Sequence, residues 1–128
     1  VRVLLDTHIL LWWWQDRLRL GERARSIIAS PEVAVLVSTA SLWEIAIKFR
    51  LGKIDVCSSE ALDHARREGF TIIGITSDHT DQVEKLPRID GHRDPFDHLL
   101  LAQAKVEEAV LMTADRILTQ YGIRCLAA

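Results

Sequence analysis

The sequence predicts an α/β fold, a parallel-sheet α/β/α sandwich with helices on both faces. Three observations lead there. Four short apolar runs, at residues 1–5, 33–37, 70–75 and 110–112, recur along the chain with helical patterns between them. Each run is apolar at nearly every position rather than at every second one, as in strands buried on both faces. Helices between successive strands are what parallel pairing requires. The 128 residues, 48% of them apolar, suffice for a single domain over 1–128 with a real core.

The first run, Val1–Leu5, stops at Asp6, and a helix is expected from Thr7. That helix carries Trp12, Trp13 and Trp14. Successive helical residues point about 100° apart, so three neighbours cannot share one core face. At least one Trp is expected at the surface or against a partner, unless the helix is wedged between two layers. Residues 21–30 form a second helix ended by Pro31. After the strand at Val33–Val37, a helix is expected from Ser38 to about Leu51, with Leu42, Ile45, Ala46 and Phe49 on its core face and Gly52 closing it. Ser58 or Ser59 caps the next helix, which runs to Glu68. The strand Phe70–Ile75 precedes a short polar helix over Ser77–Lys85, and residues 87–93 form a loop rich in Arg, His and Gly. Asp94 then reads as an N-cap, Pro95 as the first helical residue and Asp97 as the third, ahead of an apolar helix. Val110–Met112 is the fourth strand. A short helix to about Tyr121 and an edge strand at Arg124–Leu126 complete the order.

A net charge of −2 argues against a surface that coats itself in nucleic acid by charge alone. Cys57 and Cys125 match no metal or redox spacing and read as reduced thiols. No apolar run reaches transmembrane length and no secretory leader pattern opens the chain, so no membrane association is expected and a cytoplasmic location is.

The acids carry the chemistry. Asp6 follows the first strand, Asp115 lies just past the fourth, Glu44 is in the second turn of the helix after the second, and Asp97 is in the first turn of the helix leading to the fourth. All four are expected at the C-terminal edge of one parallel sheet, where such folds bind ligands. Each has an ordinary alternative: Asp6, Asp97 and Asp115 as helix-start acids, Glu44 as a partner of Ser41 or Lys48. Their coincidence at one edge is the argument. Crowded carboxylates raise one another's pKa until protons or cations relieve them. Oxygen ligands without His or Cys favour Mg²⁺, with Mn²⁺ possible, over Zn²⁺. Such a site suits phosphodiester hydrolysis. Thr7 and Thr113 flank Asp6 and Asp115 and are candidate supporting groups, with helix capping as the alternative. Arg88, His92, Arg93 and Arg116 lie in loops expected to border the crevice; Arg93 and Arg116 are the candidate substrate-binding residues, with a solvated polar rim as the alternative.

Four stretches together resemble one family: LLDTHILLW at Leu4–Trp12, STASLWEIAIK at Ser38–Lys48, RDPFDHLLLAQA at Arg93–Ala104, and LMTADR at Leu111–Arg116. They are similar to the PIN-domain ribonucleases, specifically the VapC-type toxins of toxin–antitoxin pairs. The resemblance implies a PIN domain. It implies catalytic acids at Asp6, Glu44, Asp97 and Asp115, with Asp6 and Asp97 holding Mg²⁺ most directly. It also implies cleavage of RNA, often a tRNA or a ribosomal RNA loop, a cognate VapB-type antitoxin, and a homodimer.

A rival expectation keeps the fold but not the turnover: a catalytically silent RNA- or protein-binding module using the Trp run as its contact. Other acid-based enzymes on similar sheets fit worse. A haloacid-dehalogenase-type phosphatase needs an Asp where His8 stands, and no G-x-G-x-x-G follows any strand.

Overall fold

The computed structural model describes residues 1–128. Five strands, β1 (Arg2–Leu5), β2 (Ala34–Ser38), β3 (Thr71–Ile73), β4 (Val110–Thr113) and β5 (Cys125–Ala127), form one sheet in the order β3-β2-β1-β4-β5. Every neighbouring pair is parallel. Six α-helices cover it: α1 (Thr7–Gln15), α2 (Glu22–Ala29), α3 (Thr39–Arg50), α4 (Ser58–Arg67), α5 (Ser77–Glu84) and α6 (Pro95–Val106). Two 3₁₀ segments, Arg17–Arg19 and Arg116–Tyr121, fill connections.

The all-apolar strands have a simple cause. Val3, Leu5, Val35, Val37 and Met112 point into one core, shared with α1, α2, α3 and α4. Leu4, Leu36 and Leu111, one residue out of step, point into a second core with α6 and the segment Arg116–Tyr121. Side chains alternate between faces along a strand, so burial on both faces demands apolar residues at odd and even positions alike.

Strand order positions the site. From β1 the chain moves outward on one side through β2 and β3, then crosses to the other side for β4 and β5. The direction reverses between β1 and β4. There the flanking connections splay apart and leave a crevice at the C-terminal strand ends. The Asp6 N–H donates to the Met112 carbonyl at 3.0 Å, closing the two strands at that point.

Several expectations need correction. The third strand is only three residues long, and Gly74–Thr76 lie outside it. The segment before Tyr121 is 3₁₀ rather than α. Within α3, burial runs over Ala40, Ser41, Leu42, Glu44 and Ile45 and goes no further, so Ala46 and Phe49 face solvent and Phe49 is 45% exposed. The helix turns its Glu44 side inward, and its last turns stand clear of the core. The Trp run is absorbed mostly within the chain. Trp13 is buried, with Nε1–H donating to Glu68 at 2.8 Å; Trp14 stacks on His64; Trp12 lies under the Arg19 guanidinium. Trp12 and Trp14 are half-buried, which suits the wedged alternative better than a free aromatic contact surface.

At the opposite, N-terminal edge of the sheet a polar knot ties α5 and α6 to β1. His79 is 1% exposed. Its Nδ1 accepts the Thr76 N–H at 3.0 Å, and its Nε2–H donates to Glu107 Oε2 at 2.9 Å. Arg2 pairs with the same Glu107 carboxylate at 3.3 Å and donates to the Glu107 carbonyl at 2.9 Å. The hydrogen bond from His79, followed by the charges around it, holds the Glu107 carboxyl below its usual range.

Candidate active site: an acidic cleft at the switch point

Asp6 is fixed by its own strand end. It is the N-cap of α1 and only 6% exposed. Oδ1 accepts the Thr7 N–H at 2.7 Å, and Oδ2 accepts the Thr113 hydroxyl at 2.7 Å. Burial pushes its pKa up, against the lowering effect of these two donors. Thr113 Oγ1 also accepts the Asp115 N–H at 3.0 Å, so one hydroxyl ties the end of β1 to the turn after β4. The Thr7 hydroxyl turns away and donates to Ser41 at 2.9 Å; Thr7 meets Asp6 through its backbone N–H.

Glu44 is buried at 9% exposure and pairs one turn on with Lys48, Oε2 to Nζ at 2.9 Å. Asp94 caps α6, Oδ1 accepting the N–H groups of Phe96 at 2.9 Å and Asp97 at 3.3 Å, with Pro95 at the first helical position. That cap starts the helix so that Asp97 comes round to the cleft. Asp97 Oδ2 accepts from His92 Nε2–H at 3.0 Å, while Oδ1 has no hydrogen bond within the protein. Its pKa is raised to about 6, chiefly by burial, with the charges of Asp94 and Asp6 adding to it and the His92 hydrogen bond opposing. Asp115 is exposed, and its Oδ1 accepts the Ile117 N–H at 3.1 Å.

Asp6, Glu44, Asp94, Asp97 and Asp115 line one cavity of about 470 Å³ together with His8, Trp12, Lys48 and Ala114. Lys48 is the only Lys or Arg among them. Arg93 and Arg116 do not line this cleft. Arg93 borders a neighbouring cavity of about 480 Å³ with Arg88, His92, His98 and Tyr121. Arg116 borders a smaller one of about 250 Å³ beside β5.

Lys48, Trp12 and His92 are among the groups in or beside the cleft that were not singled out as site residues. Lys48 read only as a possible partner of Glu44. Trp12 read as part of a partner-seeking run. His92 read as a phosphate-loop residue, whereas its ring meets Asp97, and ligand atoms of His92, Asp97 and Asp115 all lie within 4.8 Å of one another.

The donor set fits a divalent cation. Five carboxylates face a cavity with one ammonium, and two of them, the buried Asp6 and the half-buried Asp97, have raised pKa values. Anions held this way are stabilised by a cation or a proton. Carboxylate oxygens match Mg²⁺ and Mn²⁺, and the His92 imidazole beside Asp97 is compatible with Mn²⁺.

The relatives agree with this architecture. Residues 3–123 match the model of the PIN domain. A stretch of 59 residues, 44% of this chain, is 37% identical to the Ribonuclease VapC16 of Mycobacterium tuberculosis and covers 42% of that protein's length. Among solved structures, VapBC2 from Rickettsia felis bound to a DNA fragment from their promoter superposes with a TM-score of 0.74 at 16% identity, covering 99% of this chain and 98% of that one. VapBC-1 from nontypeable Haemophilus influenzae gives 0.71 at 17%, over 99% and 98%. At such identities the structural likeness is one of fold.

Proposed function

The chain belongs to the PIN-domain family, and on that premise we propose that it is a Mg²⁺-dependent endoribonuclease, the toxin of a type II toxin–antitoxin pair, cutting RNA phosphodiesters such as those of tRNA or rRNA. The observation that carries this reading is the convergence of five carboxylates on one cleft at the β1/β4 switch point. The curated relative named as a ribonuclease supports it.

Asp6 and Asp97 are the residues that would hold the cation, through carboxylates already oriented by Thr113, the Thr7 N–H and His92. Glu44 and Asp115 flank them. A divalent ion in such a site supplies positive charge against the phosphate and lowers the pKa of a water. The protein's own groups do the rest. Burial of Asp6 and Asp97 strengthens electrostatics at the reacting centre. Lys48 stands on the wall where it can take a phosphate oxygen, exchanging Glu44 for the substrate. Trp12 also lines the cleft, where it could contact a base. Arg93 and Arg88, one cavity away, suit more distant phosphates of an extended RNA.

The test is RNA cleavage by the parent chain and by single Asp6→Asn and Asp97→Asn variants, each with Mg²⁺ and with EDTA. Activity that survives in either variant, or in the chelator, would refute the reading.

A VapB-type antitoxin is the partner this reading implies, and the surface suits one. Trp43, Ile47 and Leu51 are exposed along α3 at 57%, 37% and 62%. A groove of about 410 Å³ lined by Ile47, Leu51, Pro95 and Phe96 continues into the acidic cleft through Glu44, Lys48 and Asp94. A peptide could lay apolar residues there and send a cation into the acids. The same strip would serve a silent binding module. Product fragments that accumulate over many turnovers distinguish the nuclease from a binder.

A further inference from the structure

Behind Asp97 lies a line of polar rings. His92 Nε2 meets Asp97 Oδ2 at 3.0 Å, His92 Nδ1 meets the Tyr121 hydroxyl, and that hydroxyl meets His98 Nε2 at 3.2 Å. The three rings pack edge to face or tilted, with centroids 5.0 to 5.8 Å apart. They come from three places: the loop before α6, α6 itself, and the 3₁₀ segment after β4. Tyr121 is 4% exposed, and the His92 side chain 9%.

We propose that His92, locked by Tyr121 and His98, is a positioning residue for Asp97, holding its carboxylate so that Oδ1 faces the cation site. The claim rests on the metal-dependent nuclease reading and deepens it.

With Asp97 ionised and His92 neutral, the hydrogen bookkeeping allows one arrangement in which every partner is used. A carboxylate only accepts, so His92 must donate from Nε2. A neutral imidazole then accepts at Nδ1, and the Tyr121 O–H is the donor there. The Tyr121 oxygen in turn accepts from His98 Nε2–H. Each group has one direction, so the His92 ring cannot flip without breaking two bonds. A ring held this way pins Oδ2 of Asp97 and thereby sets where Oδ1 points. The chain also has a second anchor. Tyr121 closes the 3₁₀ segment that Asp115 caps, so Asp97 and Asp115 are referred to one frame. Simple packing of three aromatic rings would not require this alignment of donors and acceptors.

Partners of this kind typically change metal affinity about 10- to 100-fold. The experiment is titration of the purified full chain with Mn²⁺ alone, followed by electron paramagnetic resonance, alongside melting temperatures in EDTA. His92→Ala is expected to weaken Mn²⁺ binding by about tenfold or more. Tyr121→Phe keeps the ring but removes the hydroxyl, and should weaken it by a smaller factor with little change in melting temperature. His92→Gln, whose amide N–H lies near the place of Nε2–H, should recover most of the affinity lost in His92→Ala. Nitrogen-15 spectra of the metal-free protein should show His92 with its proton on Nε2. Parent-like Mn²⁺ affinity in both His92→Ala and Tyr121→Phe would overturn the positioning role while leaving the nuclease reading intact. Directly bound nitrogen in the Mn²⁺ spectrum would also overturn it, making His92 a ligand. A parent chain that binds no Mn²⁺ would remove the premise and the proposal together.

Discussion

Two His–carboxylate pairs sit at opposite edges of the same sheet, with almost the same geometry and opposite electrostatics. His92 meets Asp97 at 3.0 Å at the C-terminal edge; His79 meets Glu107 at 2.9 Å at the N-terminal edge. Yet the Asp97 carboxyl is pushed up to about 6, while Glu107 is held below its usual range. The hydrogen bond lowers the pKa in both. What differs is the company. Asp97 is half-buried beside Asp94 and Asp6. Glu107 is more open to solvent and has the Arg2 cation beside it as well as the His79 hydrogen bond. One pair is complete within the chain and serves the fold. The other is left anionic-rich, which makes sense where an external cation is expected.

Substitutions at the two edges should therefore part company. The largest effect is expected from Asp97→Asn on RNA cleavage in Mg²⁺, a loss of about 100-fold or more, because the proposed role as a cation ligand would carry several kcal/mol of transition-state stabilisation. Glu107→Gln should leave cleavage within a few-fold, and equal losses in the two variants would erase the contrast.

Next comes stability without metal. A carboxyl whose folded pKa is raised binds its proton more tightly in the folded state. Its contribution to stability therefore declines as pH climbs from about 4, the ordinary Asp value, to about 6, and stays low above. Asp97→Asn escapes that penalty and should stabilise the EDTA-treated protein at pH 8 by about 1 kcal/mol after allowance for solvent screening. Thermal melts from pH 4 to pH 8 would show the parent falling behind the variant as pH rises; parallel curves would contradict it.

The Glu107 edge should behave oppositely. Removing its charge is expected to destabilise by about 0.5–1.5 kcal/mol at pH 7, the usual worth of a hydrogen bond. A lowered folded pKa means stability present above the ordinary Glu value and lost as pH falls through the folded one. Denaturant titrations of Glu107→Gln and parent should thus converge in acid. The smallest effect is expected from Arg2→Met, since the Arg2 side chain is 44% exposed, and exposed pairs contribute about 0–1 kcal/mol. A larger loss there than in Glu107→Gln would mean that Arg2, not His79, is the main support.

Much of this was legible in the chain. Strands buried on both faces leave no polar alternation, so Val35-Leu36-Val37 announces its own sandwich. An acid directly after a strand, as at Asp6, must lie at the strand's C-terminal edge. The N-cap at Asp94 follows from Asp-Pro chemistry. The missed features depend on relations between elements. Periodicity says which side of α3 is apolar but not where its cover ends, so Phe49 was placed inside. Loop residues carry no period, so neither the swing of Arg93 and Arg116 into other cavities nor the approach of His92 to Asp97 was readable. Lys48 was visible as a partner of Glu44, yet its place on the cleft wall needs the helix orientation.

The hydroxyl of Thr113, which donates to Asp6 and accepts from the Asp115 amide, makes the two acids share a single rivet. Their positional errors are therefore correlated: a thermal shift of one strand tip drags its neighbour along, and the spacing between them is preserved better than either location. Serine could replace that rivet, whereas valine, equal in shape but mute, would let the two tips wander separately.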